Sequence, residues 1–381
     1  MIELKKTSAL QTIQLARGFA ALLVVLFHCS AVFQLPKYFG YDPLGGTLLS
    51  GYAGVDLFFV ISGFIIAHVH ATDIGHWNAF PSFLNKRLWR IYPLYWVILL
   101  LVGLQLLFMG NLSAAIPYDA SIIFKTIFLL PQNIDVIGGT GAPLIPVAWT
   151  LQHEMIFYLF FGIFILSPFI GCSTLLMASL LSLAFPEHYL AKFLANPLNL
   201  EFLMGILVWR LTRFKIRTMS AWLLLSTGLL LFVTMMMVDR TMMPVGNTPI
   251  ELGFGLASAC MLYGAVSLER SKGWKAPDIL NLLGDASYSV YLVHFTVVSV
   301  ACKMTLVLHQ RWHVNTGLCY VLVVISAVFA GIAAYYFVEK PLIRFSKRYT
   351  SKNKTTMHSM QDRQHIQSNI KLAATPETVP R

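Results

Sequence analysis

The sixteen residues Leu15 to Ser30, LARGFAALLVVLFHCS, decide the fold. An arginine opens an apolar run, and a histidine stands deep inside it eleven positions later. On a helix rising about 1.5 Å per residue, Arg17 and His28 lie about 16 Å apart along one axis. An imidazole at that depth in hydrocarbon is costly without a partner, so the stretch reads as a membrane helix carrying a functional site.

The rest of the chain agrees with that reading. Of 381 residues, 57% are hydrophobic and 12% charged, and the mean hydropathy is +0.67. That is more apolar surface than a soluble core can hide, so the fold class is all-α and integral to a membrane. The net charge of +11 belongs to Lys and Arg residues interleaved with apolar spans, which is membrane-topology charge and not a nucleic-acid face. Cys29, Cys172, Cys260, Cys302 and Cys319 form no Cys-x-x-Cys pair and read as small buried apolar residues, neither disulfides nor metal ligands. Lys5 and Lys6 mimic a signal peptide, but the run behind them is too long for one and contains Arg17. An uncleaved first membrane helix is expected.

Long apolar runs give ten candidate spans: 12–33, 49–70, 89–109, 147–168, 172–186, 198–212, 220–238, 250–268, 286–308 and 317–338. With the N-terminus inside, 22 of the Lys and Arg residues fall in inner segments and 5 in outer ones. This asymmetry predicts a ten-helix bundle with cytoplasmic N- and C-termini. Residues 1–345 form the membrane domain, and 346–381 a polar, disordered cytoplasmic tail. Two outer segments are long, 34–48 and 110–146. The GGTG run at 138–141 has no Lys-Ser/Thr behind it and no strand before it, so it reads as a flexible loop beside a substrate entrance.

Counting inward from the outer helix ends, His28 lies about five residues deep, and Asp56 and Glu154 about seven, so an imidazole and two carboxylates share one level. A carboxylate accepting one ring N–H would fix the tautomer of His28 and raise the basicity of its other nitrogen. The same pairing could simply tie helices together. His153 beside Glu154 makes no H-E-x-x-H, so no metal site is expected. At the inner edge Arg87 and Arg90 can hold phosphate bidentately or serve as snorkelling topology charges. Tyr288, Tyr291 and His294 open the ninth span near the inner face, where His294 reads more readily as a packed helix–helix hydrogen-bonder than as a catalyst. Glu201 and Glu251 lie near outer helix ends facing water, and Glu339-Lys340-Pro341 closes the last helix.

Arg17-x10-His28, Gly54-Val-Asp56-Leu-Phe-Phe-Val-Ile-Ser62-Gly63-Phe64, Arg87-x-x-Arg90, Trp149-Thr-Leu-x-x-Glu154-Met-x-Phe-Tyr158 and Gly284-Asp-x-Ser287-Tyr288-Ser289-x-Tyr-Leu-x-His294 together resemble the acyltransferase-3 family of bacterial inner-membrane proteins. The likeness spans residues 10 to 345. It implies a ten-helix bundle that moves an acyl group, usually acetyl, from cytoplasmic acyl-coenzyme A to a carbohydrate hydroxyl. The chain looks most like the exopolysaccharide and O-antigen acetylase branch, with polysaccharide biosynthesis proteins as partners and any helper domain on a separate protein. Carried over, Arg17, Arg87 and Arg90 would hold the coenzyme A phosphates. His28 would take the proton of the acceptor hydroxyl, or carry the acyl group itself, with Glu154 or Asp56 orienting it. Tyr288 and His294 would contact substrate. Two readings compete: a proton-coupled transporter or flippase using His28, Asp56 and Glu154 as a relay, and a structural partner of a polymerase complex.

Overall fold

The computed structural model describes residues 10–108, 119–242, 248–273 and 275–346, which fold into helices without a strand. Lys5, Lys6, positions 109–118 of the second long outer segment and the polar tail beyond 346 lie outside the described residues. The helices that build the bundle are α1 (Gln11–Phe33), α2 (Gly54–Val69), α3 (Phe80–Phe108), α4 (Ala120–Ile127), α5 (Trp149–Leu166) and α6 (Pro168–Ala184). They continue with α7 (Leu198–Leu211), α8 (Thr218–Met242), α9 (Thr248–Lys272), α10 (Asp278–Asp285), α11 (Ser287–Trp312) and α12 (Thr316–Ala334).

Among the described residues, nine helical segments are long and apolar enough to cross a bilayer. The expected tenth is α6, which has 17 residues and so a length of about 26 Å, short of the roughly 30 Å hydrocarbon core. The Gly75 N–H donates to Ile165 O at 2.9 Å, which ties the end of α5 to the loop after α2, whereas Leu198 at the start of α7 lines the cavity that holds His28. The chain therefore returns from one end of the bundle to the other through α6 and the short helix Tyr189–Leu194. Cys172 on α6 is exposed, unlike the buried thiol expected from sequence, because this helix is covered on few sides.

α1 lies at the centre, against α2, α9, α10, α11 and α12. Its first turn has no cap of its own. The Glu269 carboxylate at the end of α9 supplies one, accepting from Gln11 N at 2.8 Å and Thr12 N at 2.9 Å and placing negative charge at a helix N-terminus. α2 and α7 approach more closely than side chains allow. A Cβ on Gly63 would fall 2.0 Å from Phe202 O, and one on Gly205 would fall 2.0 Å from Val60 O. Only glycines permit this backbone-to-backbone contact, the means by which helices pack tightly in lipid.

The last helix does not stop at Pro341. A π-helical turn at Tyr335–Glu339 lets it run on to Ser346. A proline cannot donate to the carbonyl one turn back, and the wider turn absorbs that loss while bringing Glu339 into the protein, 2% exposed. Glu339 is thus an interior residue and not a helix boundary.

Gly63→Val would force α2 and α7 apart, so the variant is expected to show little monodisperse protein on size-exclusion chromatography in detergent. Gly103→Val, where a Cβ meets nothing within 4 Å, should behave as the unaltered chain.

Candidate active site

Two cavities enter the bundle from opposite ends. One, of about 570 Å³, is lined by Arg17, Lys86, Arg87, Arg90, Glu154, Tyr158, Asp285 and Tyr288. The other, of about 560 Å³, is lined by His28, Asp56, Gln132, Asn133, Asp135, Trp149, Gln152, Asn196 and Glu251. Val55 and Tyr291 face both and form the partition. Tyr291 is pinned there: its hydroxyl donates to Val147 O at 3.0 Å and lies 2.8 Å from Thr150 Oγ1.

This division revises the single level inferred from sequence. His28 and Asp56 share a cavity, but Glu154 sits in the other with the arginines. Counting from Val147 placed Glu154 too shallow, because α5 does not start at a surface. The segment leading into it is itself interior, with Leu129, Ile145, Val147 and Ala148 only 2 to 3% exposed.

No carboxylate touches the His28 ring among the described residues. His28 Nδ1 lies 3.0 Å from Val24 O and 3.1 Å from Nε2 of His294. His294 Nδ1 in turn lies 2.6 Å from Tyr291 O and 3.2 Å from Val290 O. Carbonyl oxygens only accept, so the neutral His294 ring carries its proton on Nδ1 and turns the Nε2 lone pair toward His28. His28 Nδ1 then faces two acceptors and must be the protonated nitrogen. Its Nε2 is left with a free lone pair and no hydrogen-bond partner among the described residues. The result is an imidazole held in the base-competent tautomer by a second histidine and one main-chain carbonyl, with two further carbonyls fixing that second ring. His294 is 0% exposed and lines neither cavity, so it touches His28 in place of the substrate contact expected from sequence.

Asp56 is 1% exposed and packs with Glu201, which at 0% is fully interior against Gly255 of α9 and not water-facing as the helix-end position suggested. The two carboxyl groups hydrogen-bond to each other, and outside that pair Asp56 Oδ1 and both Glu201 oxygens meet no donor among the described residues.

At the other end, Arg90 donates to Glu339, whose second oxygen accepts from Ser289 Oγ at 2.6 Å. Tyr288 Oη donates to Ile91 O at 2.8 Å and lines the arginine cavity. Tyr158 donates to Glu154. Arg17 Nη1 donates to Gln14 Oε1 at 3.3 Å, and Gln14 Nε2 donates to Asp285 Oδ1 at 2.8 Å. Arg87 lies over the rings of Phe83 and Tyr158, each 5.8 Å from its Cζ. It donates from Nη2 to His70 Nε2 at 2.8 Å, and its Nε is buried without a partner. Arg90 is therefore largely neutralised, while Arg87 lines the cavity with no carboxylate within ion-pair distance among the described residues.

Sequence reasoning quoted Thr150, Tyr158, Asp285 and Ser289 within motifs without giving them work, and missed Gln14, His70 and Asp73. The one signal available was the His70-x-x-Asp73 spacing at the end of a helix, which places two side chains within reach.

The model of the acyltransferase-3 family, described as an acyltransferase domain, matches residues 10–336. The exopolysaccharide production protein ExoZ of Rhizobium meliloti (strain 1021) is 28% identical over 313 residues, 80% of this chain and 93% of the relative. Protein 2 in the picA locus of Rhizobium radiobacter is 30% identical over 152 residues, 37% of this chain and 74% of the relative. A Staphylococcus aureus (strain COL) protein named as an O-acetyltransferase is 24% identical over 325 residues, 77% of this chain and 53% of the relative. No solved structure matches the chain. With the family model covering most of its length and the motif residues converging on two facing cavities, the chain belongs to the acyltransferase-3 family of membrane-bound O-acyltransferases.

Proposed function

We propose that the chain transfers an acetyl group from acetyl-coenzyme A, entering the arginine cavity, to a hydroxyl of a surface or secreted carbohydrate in the histidine cavity, with His28 Nε2 as general base. The observation that carries this reading is the His28–His294 contact at 3.1 Å, which leaves one unprotonated ring nitrogen facing the acceptor side. In this reading the arginine end is cytoplasmic, the protein is a multi-pass component of a bacterial inner membrane, and residues 346–381 form a cytoplasmic tail. The excess of Lys and Arg in segments at that end supports the orientation. The relatives named for exopolysaccharide production and O-acetyl transfer support the substrate class.

The arginine cavity fits the donor. Its volume is in the range of ligand sites, and the orphaned Arg87 Nε marks a place where an acceptor-rich group is missing. Arg17, Lys86 and Arg87 would hold the coenzyme A phosphates. When bound, the thioester supplies the electrophilic acyl carbon. Asn133, Asn196 and Gln152 beside Trp149 give the histidine cavity the amide and aromatic surfaces that suit a sugar. As the acceptor oxygen bonds to the acyl carbon and the carbon–sulfur bond breaks, His28 Nε2 takes the hydroxyl proton and would return it to the departing coenzyme A thiolate; meanwhile the imidazolium keeps its Nδ1–H on His294 Nε2 and Val24 O. His294 is a positioning residue in this scheme, and Tyr291 and Val55 are the partition the acyl group must pass. Glu154, paired with Tyr158, balances the arginine charge. Asp56 acts at the edge of the acceptor site, near His28 but not through it.

General-base help contributes typically a hundred- to ten-thousand-fold, so His28→Ala should lower ester formation by at least about a hundredfold in proteoliposomes while the protein still inserts. His294→Leu should cost about ten- to a hundredfold in kcat with little change in donor KM, since a hydrogen bond to a charged group contributes about 1.5 to 3 kcal/mol. Ester formation should proceed without a proton gradient. If glycans of a deletion strain keep their acetyl content, the reading is wrong.

A further inference from the structure

The loop after α2 carries a buried group that none of the chemistry above uses. His70, 1% exposed, stands between Asp73 and Arg87: its Nδ1 is 2.7 Å from Asp73 Oδ2, and its Nε2 is 2.8 Å from Arg87 Nη2. Phe83 meets the ring edge-on at 4.9 Å. The protons can be placed without choosing among alternatives. A guanidinium has only donors, so His70 Nε2 must accept from Arg87, and the ring proton must then be on Nδ1 and given to the carboxylate.

We propose that His70, oriented by Asp73, is a positioning residue that holds the Arg87 guanidinium at the wall of the arginine cavity and so sets affinity for the donor's phosphate groups. The inference rests on the donor reading given above. Arg87 needs such a holder. Its other neighbours, Phe83 and Tyr158, offer ring faces that attract the cation without fixing its rotation, and its Nε has no partner. His70 supplies the one directional bond, in a place where the chain leaves α2 and is about to enter α3.

A proton on His70 Nε2 would turn the accepting nitrogen into a donor facing a donor. The bond to Arg87 would be lost and replaced by repulsion. The charged groups that bear on the ring are Asp73 from its own loop and Lys86 and Arg87 from α3. Burial holds the imidazole below the ordinary histidine range of about 6.5; the Asp73 carboxylate opposes that shift, and Arg87 and Lys86 reinforce it. The ring is therefore neutral at neutral pH. Donor affinity should be level from pH 8 to about 6.5 and fall only on acidification below the usual histidine midpoint.

The test is equilibrium binding of coenzyme A, and of pantetheine as a probe without phosphates, to the full chain in detergent across pH 5 to 8. The unaltered chain should lose coenzyme A affinity at the acid end and keep pantetheine affinity throughout. His70→Gln, whose amide oxygen still accepts from Arg87 but does not titrate, should keep coenzyme A affinity within about threefold at pH 7.5 and lose the acid-limb decline. His70→Leu should weaken coenzyme A binding by about tenfold or more, the size of one charge-assisted hydrogen bond, without weakening pantetheine. Coenzyme A binding by His70→Leu equal to that of the unaltered chain, or an acid decline that persists in His70→Gln, overturns the proposal. Arg87→Ala separates this from the donor reading. If it leaves the preference for coenzyme A over pantetheine unchanged, the phosphate role of Arg87 is what fails; if it abolishes the preference while the His70 variants do not matter, only the role of His70 fails.

Discussion

A carbonyl oxygen can accept a hydrogen bond but never donate one, and the histidine end of this protein depends on that one-way property. Two carbonyls of α11 claim the Nδ1 proton of His294, which leaves its far nitrogen as an acceptor, and a third carbonyl on α1 joins that acceptor in claiming the Nδ1 proton of His28. Tautomer control passes through two rings before reaching the cavity. No buried carboxylate is required, and a low-dielectric interior is spared a charge next to the ring. The arrangement at the opposite end is the same logic with the donor fixed instead: Arg87 can only give, so His70 can only take.

The bundle turns this local control into a division of labour. Charges that suit phosphate collect where α1, α3 and α11 begin and α12 ends, whereas the imidazole and amide groups collect where α1 ends and α2, α5, α7 and α9 begin. Tyr291 belongs to both. Its hydroxyl is anchored to the start of α5, its ring helps wall both cavities, and its main-chain carbonyl is the nearest oxygen to His294. A movement of that one residue would change the partition and the histidine pair together.

Much of the fold could be read from the apolar runs, because hydrocarbon demands continuous helices of a minimum length. The start of α3 could not. Its first turns carry Asn85, Lys86, Arg87 and Arg90, which look like a loop until the helix is seen to extend from Phe80 below the apolar run. The end of α12 was hidden for a similar reason, since a proline stops an α-turn but not a π-turn. Of the site residues, His28, Arg17 and Arg87 were visible as ionisable groups in improbable places. The partner of His28 was not, because 266 positions separate it from His294 and the carboxylates on α2 and α5 looked nearer by depth. Depth along separate helices compares only if all start at one surface, and α5 starts in the interior.

The glycine contact between α2 and α7 has a mechanical consequence. Where Gly63 meets Phe202 O and Gly205 meets Val60 O there is no cushion of side chains, and neither rod can ratchet along the other by a helical turn. These two helices form a single rigid plate that carries Asp56 and Glu201. Under the proposed transfer, passage between the two chambers would require only that Val55 and Tyr291 swing aside, on the scale of a rotamer change, and not that half the protein rock against the other half.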